Sequence, residues 1–115
     1  MSTQRRTLGK TGLRINPIGL GTWSMGGSWG QHDEATSMAA LHSALDLGVD
    51  FFDTADNYGD GRSERLLGQL RAQRSDVPFH IATKMGRRAS AEEYTLDNFR
   101  SWVDRSRRNL GVDRL

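Results

Sequence analysis

Three side chains in this sequence have the types that proton transfer near neutral pH requires: Asp53, Tyr58 and Lys84. A phenol is a poor acid there, with an ordinary pKa of about 10. A nearby cation favours the phenolate and eases loss of the proton. A carboxylate beside that cation would hold it charged and in place. Together the three could form a general acid tuned towards neutrality. Their spacing is suggestive. Asp53 closes the apolar run Val49-Asp50-Phe51-Phe52, Tyr58 stands in the loop Thr54-Ala55-Asp56-Asn57-Tyr58-Gly59, and Lys84 closes Val77 to Thr83. Gly21-Thr22-Trp23 closes Ile18-Gly19-Leu20 in the same way. On position alone, a structural ion pair accounts for Asp53 and Lys84 equally well, and a loop tyrosine is more often surface decoration. Two details favour chemistry. The chain has 14 Arg but only 2 Lys, and one of the two stands here. Lysine is a compact charge on a flexible stem, with a readily tuned pKa. A tyrosine also stands in the loop next to it.

The elements that must position these residues follow from periodicity. Arg6-Thr7-Leu8 and Leu13-Arg14-Ile15 flank Gly9-Lys10-Thr11-Gly12 and predict a hairpin. Ile18 to Leu20 reads as a short buried strand, and Trp23 to Gln31, with Gly26, Gly27 and Gly30, as a loop. A helix is predicted over 33–47, capped by Asp33 with Glu34 in its first turn. Ala35, Met38, Leu41 and Leu45 make its core stripe, and Gly48 ends it. Val49 to Asp53 is the second strand. A short helix over 63–70 takes Ser63 as its cap, with Leu66, Leu67 and Leu70 facing inward. Val77 to Thr83 is the third strand, with Pro78 at its entrance. The last helix covers 95–110, with Leu96, Phe99, Val103 and Leu110 on its apolar side and Gly111 as its stop. Val112-Asp113-Arg114-Leu115 resembles the approach to a fourth strand.

Alternating strands and helices argue for parallel βαβ units, whose ligands bind beyond the carboxyl ends of the strands. The fold class is therefore α/β: an N-terminal hairpin and three βα units. A closed eight-stranded barrel needs about 200 residues or more. The 115 residues here stop where a strand should begin, so the sequence reads as cut short.

Composition narrows the function. The chain is 36% hydrophobic and 26% charged, that of an ordinary globular protein rather than a disordered one. It has no cysteine, which excludes disulfides, cysteine-held metal centres and a cysteine nucleophile. No metal site is expected, and the absence of cysteine permits the cytoplasm, the compartment expected of the full-length protein, without proving it. No run approaches the length of a membrane span, and the first residues lack the apolar core of a signal peptide. The net charge of +2 is modest. Arg107-Arg108 stand beside Asp104, as on a solvated helix face, and nothing resembles a nucleic-acid recognition motif. Neither nucleic acid nor membrane is expected as a partner.

Gly48-Val49-Asp50-Phe51-Phe52-Asp53-Thr54-Ala55-Asp56-Asn57-Tyr58-Gly59, continuing to Ser63-Glu64-Arg65-Leu66-Leu67-Gly68, resembles the N-terminal signature of the aldo-keto reductases, and of bacterial members in particular. Arg6-Thr7-Leu8-Gly9 to Thr11-Gly12-Leu13, Gly19 to Trp23, Ile81-Ala82-Thr83-Lys84 and Asn109 to Leu115 resemble the same family, in order and at the right separations. The resemblance implies a (β/α)8 barrel, with residues 1–115 as the N-terminal part of its single domain. It implies reduction of aldehydes and ketones to alcohols by hydride from NADPH, or less often NADH, bound across the barrel mouth. Of the family's Asp, Tyr, Lys and His, the first three fall on Asp53, Tyr58 and Lys84. Tyr58 would protonate the carbonyl oxygen. Lys84 would make Tyr58 the stronger acid, and Asp53 would hold Lys84. Gly21, Thr22, Trp23 and Asp53 would lie at the cofactor, and Trp23, Trp29 and Tyr58 at the small carbonyl substrate. The family's His ends the fourth strand, beyond Leu115, and none of His32, His42 and His80 matches it. Groups that grip the nicotinamide amide and the 2′-phosphate also come from later strands. Two other readings stand beside this one: a redox-sensing, NADPH-binding regulatory subunit of the same fold, and a non-catalytic fragment.

Overall fold

The computed structural model describes residues 4–27, 33–87 and 93–115. An antiparallel hairpin opens the chain, β1 (Arg6–Thr7) against β2 (Arg14–Ile15), with Arg6 opposite Ile15 and Thr7 opposite Arg14. Buried Asp50 ties the hairpin down. Its carboxylate accepts from the Asn16 backbone N–H at 2.8 Å and pairs with Arg5.

Three short strands form a parallel sheet in the order β3 (Leu20–Gly21), β4 (Phe51–Asp53), β5 (His80–Ala82). The register sets Gly21 beside Asp53 and Asp53 beside Ala82. Helices α1 (Glu34–Asp46) and α2 (Arg62–Gln73) make the two crossovers, and α3 (Leu96–Leu110) follows β5. The architecture is thus a hairpin plus three βα units, as the sequence predicts. The core lies between sheet and helices. Phe52 of the central strand packs edge-on against Phe79, with ring centroids 5.2 Å apart. Leu41 and Leu45 of α1, Leu66, Leu67 and Leu70 of α2, and Leu110 of α3 complete it. Each such burial is worth about 1.5–3 kcal/mol, so this cluster supplies the main drive to form the sheet.

Helix ends follow local chemistry. The Asp33 side chain accepts from Ala35 N–H at 2.9 Å and starts α1. Gly48 ends it: its N–H reaches Leu45 O and the Val49 N–H reaches Ala44 O, both at 2.9 Å, the paired bonds of a Schellman turn. Thr95 caps α3 by accepting from Asn98 N–H at 3.2 Å, and Gly111 closes it.

Several expectations need correction. Ser63 is not the cap of α2. That helix starts at Arg62 after Gly61, and Asp60 and Gly61 both adopt left-handed backbone, at φ 52° and 93°. The φ of Gly61 is one that L side chains rarely adopt, so the backbone favours glycine there; a Cβ would also crowd the side-chain ends of Asn109 and Arg65. The stretch after β3 begins with a 3₁₀ turn, Trp23–Gly26, rather than a loop. Ile18 lies outside β3 and is 67% exposed. The phase of α1 is shifted: Ala35 is exposed and Ser37 is buried. In α3, Leu96 in the first turn is exposed, while Trp102, Ser106 and Leu110 face inward one turn apart. Among the described residues, no helix is long and apolar enough to cross a membrane, and no three metal-ligating side chains cluster.

Candidate active site

The parallel register brings three strand ends together, and the ladder continues past them. Thr54 N–H donates to Ala82 O at 2.8 Å, and Asp56 N–H donates to Lys84 O at 3.2 Å. Lys84 therefore stands two residues beyond Ala82, the register partner of Asp53, and its long side chain reaches back to Asp53 on the neighbouring strand. The Lys84 ammonium has three donors and three acceptors within reach: Asp53 Oδ2 at 2.8 Å, Thr54 O at 2.9 Å and Tyr58 Oη at 3.2 Å. It also lies 5.1 Å from the centre of the Tyr58 ring. Tyr58 Oη accepts from the ammonium and keeps its own hydrogen to give elsewhere.

The Asp53 and Lys84 side chains are 49% and 46% exposed. An ion pair this wet contributes only about 0–1 kcal/mol to stability. Holding the fold together is therefore a weak account of it, and its geometry towards Tyr58 is the more telling property. The ammonium is held above the ordinary lysine value. Partial loss of water, the largest single influence, works against the charge. The hydrogen bonds from Lys84 to Asp53 and Tyr58 and the attraction of those two groups together outweigh it.

The Tyr58 loop is pinned on several sides. Ser63 N–H donates to Tyr58 O at 3.2 Å, and Arg62 N–H donates to Gly59 O at 3.2 Å, so the start of α2 closes over the loop. Gly59 (φ 63°) meets the 3₁₀ turn backbone to backbone: a Cβ there would lie 2.2 Å from Gly26 O. Arg105 of α3 pairs with Asp60 Oδ1 at 2.9 Å and also donates to its carbonyl at 2.7 Å. Asn57 Nδ2 donates to Arg87 O at 2.7 Å, joining this loop to the one after Lys84. The latter is held in turn by Tyr94, whose Oη donates to Gly86 O at 3.1 Å and whose ring packs on Phe99 and Trp102.

Asp53, Tyr58 and Lys84 thus lie within hydrogen-bond distance of one another through the ammonium. Gly21 is exposed and places no side chain opposite Asp53, its register partner. Trp23 lies just beyond, 53% exposed. Thr22 is buried: its N–H and Oγ1 donate to Asp53 O at 2.9 and 3.0 Å, and Ser63 Oγ donates to Thr22 O at 2.8 Å. Its side chain steadies Asp53 rather than facing solvent. Trp29 and His32 lie outside the described residues. His42 sits on α1 with Nε2 2.8 Å from Gln73 Oε1, and His80 opens β5 at the end away from Lys84. Sequence reasoning missed the Thr54 carbonyl and Ser63 as supports and the Gly26–Gly59 contact. Only Ser63-Glu64 left a signal, a polar pair opening a helix, and it reads equally as an ordinary helix start.

A parallel βα sheet carries an acid, a lysine and a tyrosine at adjoining carboxyl ends, the face on which (β/α) barrels place their ligands. Residues 17–115 match the aldo/keto reductase family, and the chain belongs to that family of oxidoreductases. It is 35% identical over 112 residues to L-galactose dehydrogenase of Arabidopsis thaliana, an alignment covering 94% of this chain and 34% of that protein. Its structure resembles aldo-keto reductase AKR11C1 from Bacillus halodurans in its holo form (TM-score 0.80, 26% identity), across 97% of this chain and 38% of that one. It likewise resembles an aldo-keto reductase from Klebsiella pneumoniae in complex with NADPH (TM-score 0.70, 28% identity), across 98% of this chain and 37% of that one. The chain therefore spans about a third of the length of these relatives.

Proposed function

We propose that the protein is a cytoplasmic NAD(P)H-dependent reductase of aldehydes and ketones, with Tyr58 as the general acid, and that residues 1–115 form the N-terminal part of its single (β/α)8 domain. The observation that carries this is the one ammonium of Lys84 shared between Asp53 Oδ2 at 2.8 Å and Tyr58 Oη at 3.2 Å. The relative in complex with NADPH supports that cofactor, with NADH as the alternative. The residues present suit a flat nicotinamide: Gly21 leaves the space beside Asp53 free of a side chain, and the half-exposed Trp23 follows two residues on. Gly21, Trp23 and the Asp53 edge would hold that ring.

Bound NADPH would supply hydride to the carbonyl carbon. The chain's own residues handle the proton. As negative charge grows on the carbonyl oxygen, the Tyr58 O–H bond breaks and the proton passes to that oxygen. The phenolate left behind faces the Lys84 ammonium, already hydrogen-bonded to Tyr58 Oη and so needing little rearrangement. Asp53 Oδ2 and Thr54 O take the other two ammonium hydrogens, fixing its direction. Proton transfer of this kind contributes about 10²–10⁴-fold in rate. Water then returns a proton to Tyr58. Multiple-turnover NADPH oxidation with a generic aldehyde tests the reading. Sustained turnover that consumes one NADPH per alcohol formed supports it. Tight NADPH binding with no more than a single turnover would replace it with the redox-sensing reading.

A further inference from the structure

We propose that Glu64 is a positioning residue that sets Lys84 against Tyr58, acting through Thr83. Glu64 opens α2, where an acid ordinarily faces water and favours the helix N-terminus. Here it is fully buried. Oε2 accepts from Thr83 Oγ1 at 2.9 Å, and Oε1 accepts from Asn109 Nδ2 of α3 at 3.1 Å. Both donors are neutral. Burying a carboxyl group among neutral donors is costly compared with burying an apolar side chain, so packing alone is a poor reason for it.

The location supplies a better one. Thr83 lies between Ala82, the last residue of β5, and Lys84. Successive side chains of an extended chain point to opposite sides. Fixing the Thr83 hydroxyl on Glu64 therefore fixes the direction in which Lys84 leaves, towards Asp53, Thr54 and Tyr58. The residue before Glu64 does the matching job for the tyrosine: Ser63 N–H holds Tyr58 O at 3.2 Å. Two consecutive residues of one helix turn thus hold Tyr58 and, through Thr83, Lys84 at a set separation. As a contribution to catalysis this rests on the reading of Tyr58 as proton donor; as geometry it does not.

The test uses the protein carrying ¹³C-labelled lysine, with the Lys84 side-chain signal assigned by its loss in Lys84→Arg and exposed Lys10 as the reference. In the wild type the Lys84 signal should stand apart from that of Lys10, because its ammonium is bonded to Asp53 and Tyr58. Glu64→Ala and Thr83→Val should both move it towards Lys10, and Glu64→Gln, which can still bond Thr83 and Asn109, should restore it. Thr83→Val removes a single hydroxyl and keeps the test decisive where Glu64→Ala does not fold. An unmoved Lys84 signal in folded Thr83→Val overturns the proposal, as does a Glu64→Gln variant shifted as far as Glu64→Ala. In the reductase assay, Thr83→Val should lower kcat about 10–100-fold with KM little changed. A wild type without reductase activity would sink the catalytic reading and leave the lysine spectra to judge this one.

Discussion

Lys84 spends all three ammonium hydrogens on Asp53, Thr54 and Tyr58, and this makes its protonation a property of the fold. Its value is raised from the ordinary 10.5. Folding therefore favours the protonated lysine. The associated stability is fully present below the unfolded value and is lost as pH rises through the folded one. We expect the unfolding free energy of the wild type, from urea titration, to exceed that of Lys84→Met at neutral pH by a small margin, about 0–1 kcal/mol for so exposed a pair. The margin should shrink to nothing above the folded value. A margin that widens with alkalinity would contradict the assignment. Asp53 and Lys84 were legible in the sequence because each stands at the end of an apolar run, and strand ends are where parallel sheets present chemistry; Tyr58 was legible as the tyrosine of the loop that follows Asp53. The Thr54 carbonyl left no trace there, since any residue offers one.

At the scale of elements, the contact between α2 and α3 decides more than either helix does alone. Gly68 lies inside α2, where alanine would ordinarily gain about 1 kcal/mol. A Cβ at Gly68 would lie 2.4 Å from Asn109 O, on the backbone of α3. We expect Gly68→Ala to cost about 1–3 kcal/mol in urea unfolding, as overpacking does; a gain in stability would show that α3 is free to move away. The same contact explains which helix ends could be read locally. Asp33, Gly48, Thr95 and Gly111 act through neighbours within a few residues, so their types announce them. The start of α2 depends on Asp60 and Gly61, packed against Arg105 and Asn109 far along the chain. Nothing beside Ser63 signals that, and serine before a leucine run reads as a cap. Glu64 misleads for the same reason: a glutamate in a first turn is ordinary until Thr83 and Asn109 close around it. The strands fall short of their apolar runs because pairing, not hydropathy, defines them, and Ile18 has no partner strand among the described residues.

At the scale of the molecule, β3 and β5 are both edge strands among the described residues, and Ile18, Leu47, Leu96 and Leu115 are each more than 60%, or 60%, exposed. Open parallel edges and uncovered apolar side chains favour self-association. We expect the 115 residues produced by themselves to elute as mixed oligomers and to melt without a sharp transition. A monodisperse monomer with a cooperative melt would contradict the assignment of this segment to one larger barrel. The most direct measurement of the central claim returns to Tyr58: NADPH oxidation with a generic aldehyde by the complete protein and by Tyr58→Phe, with NADPH affinity measured on both. Removing the phenolic proton should lower turnover by about 10²–10⁴-fold and leave cofactor affinity nearly unchanged. Comparable turnover in Tyr58→Phe would contradict its role as the acid.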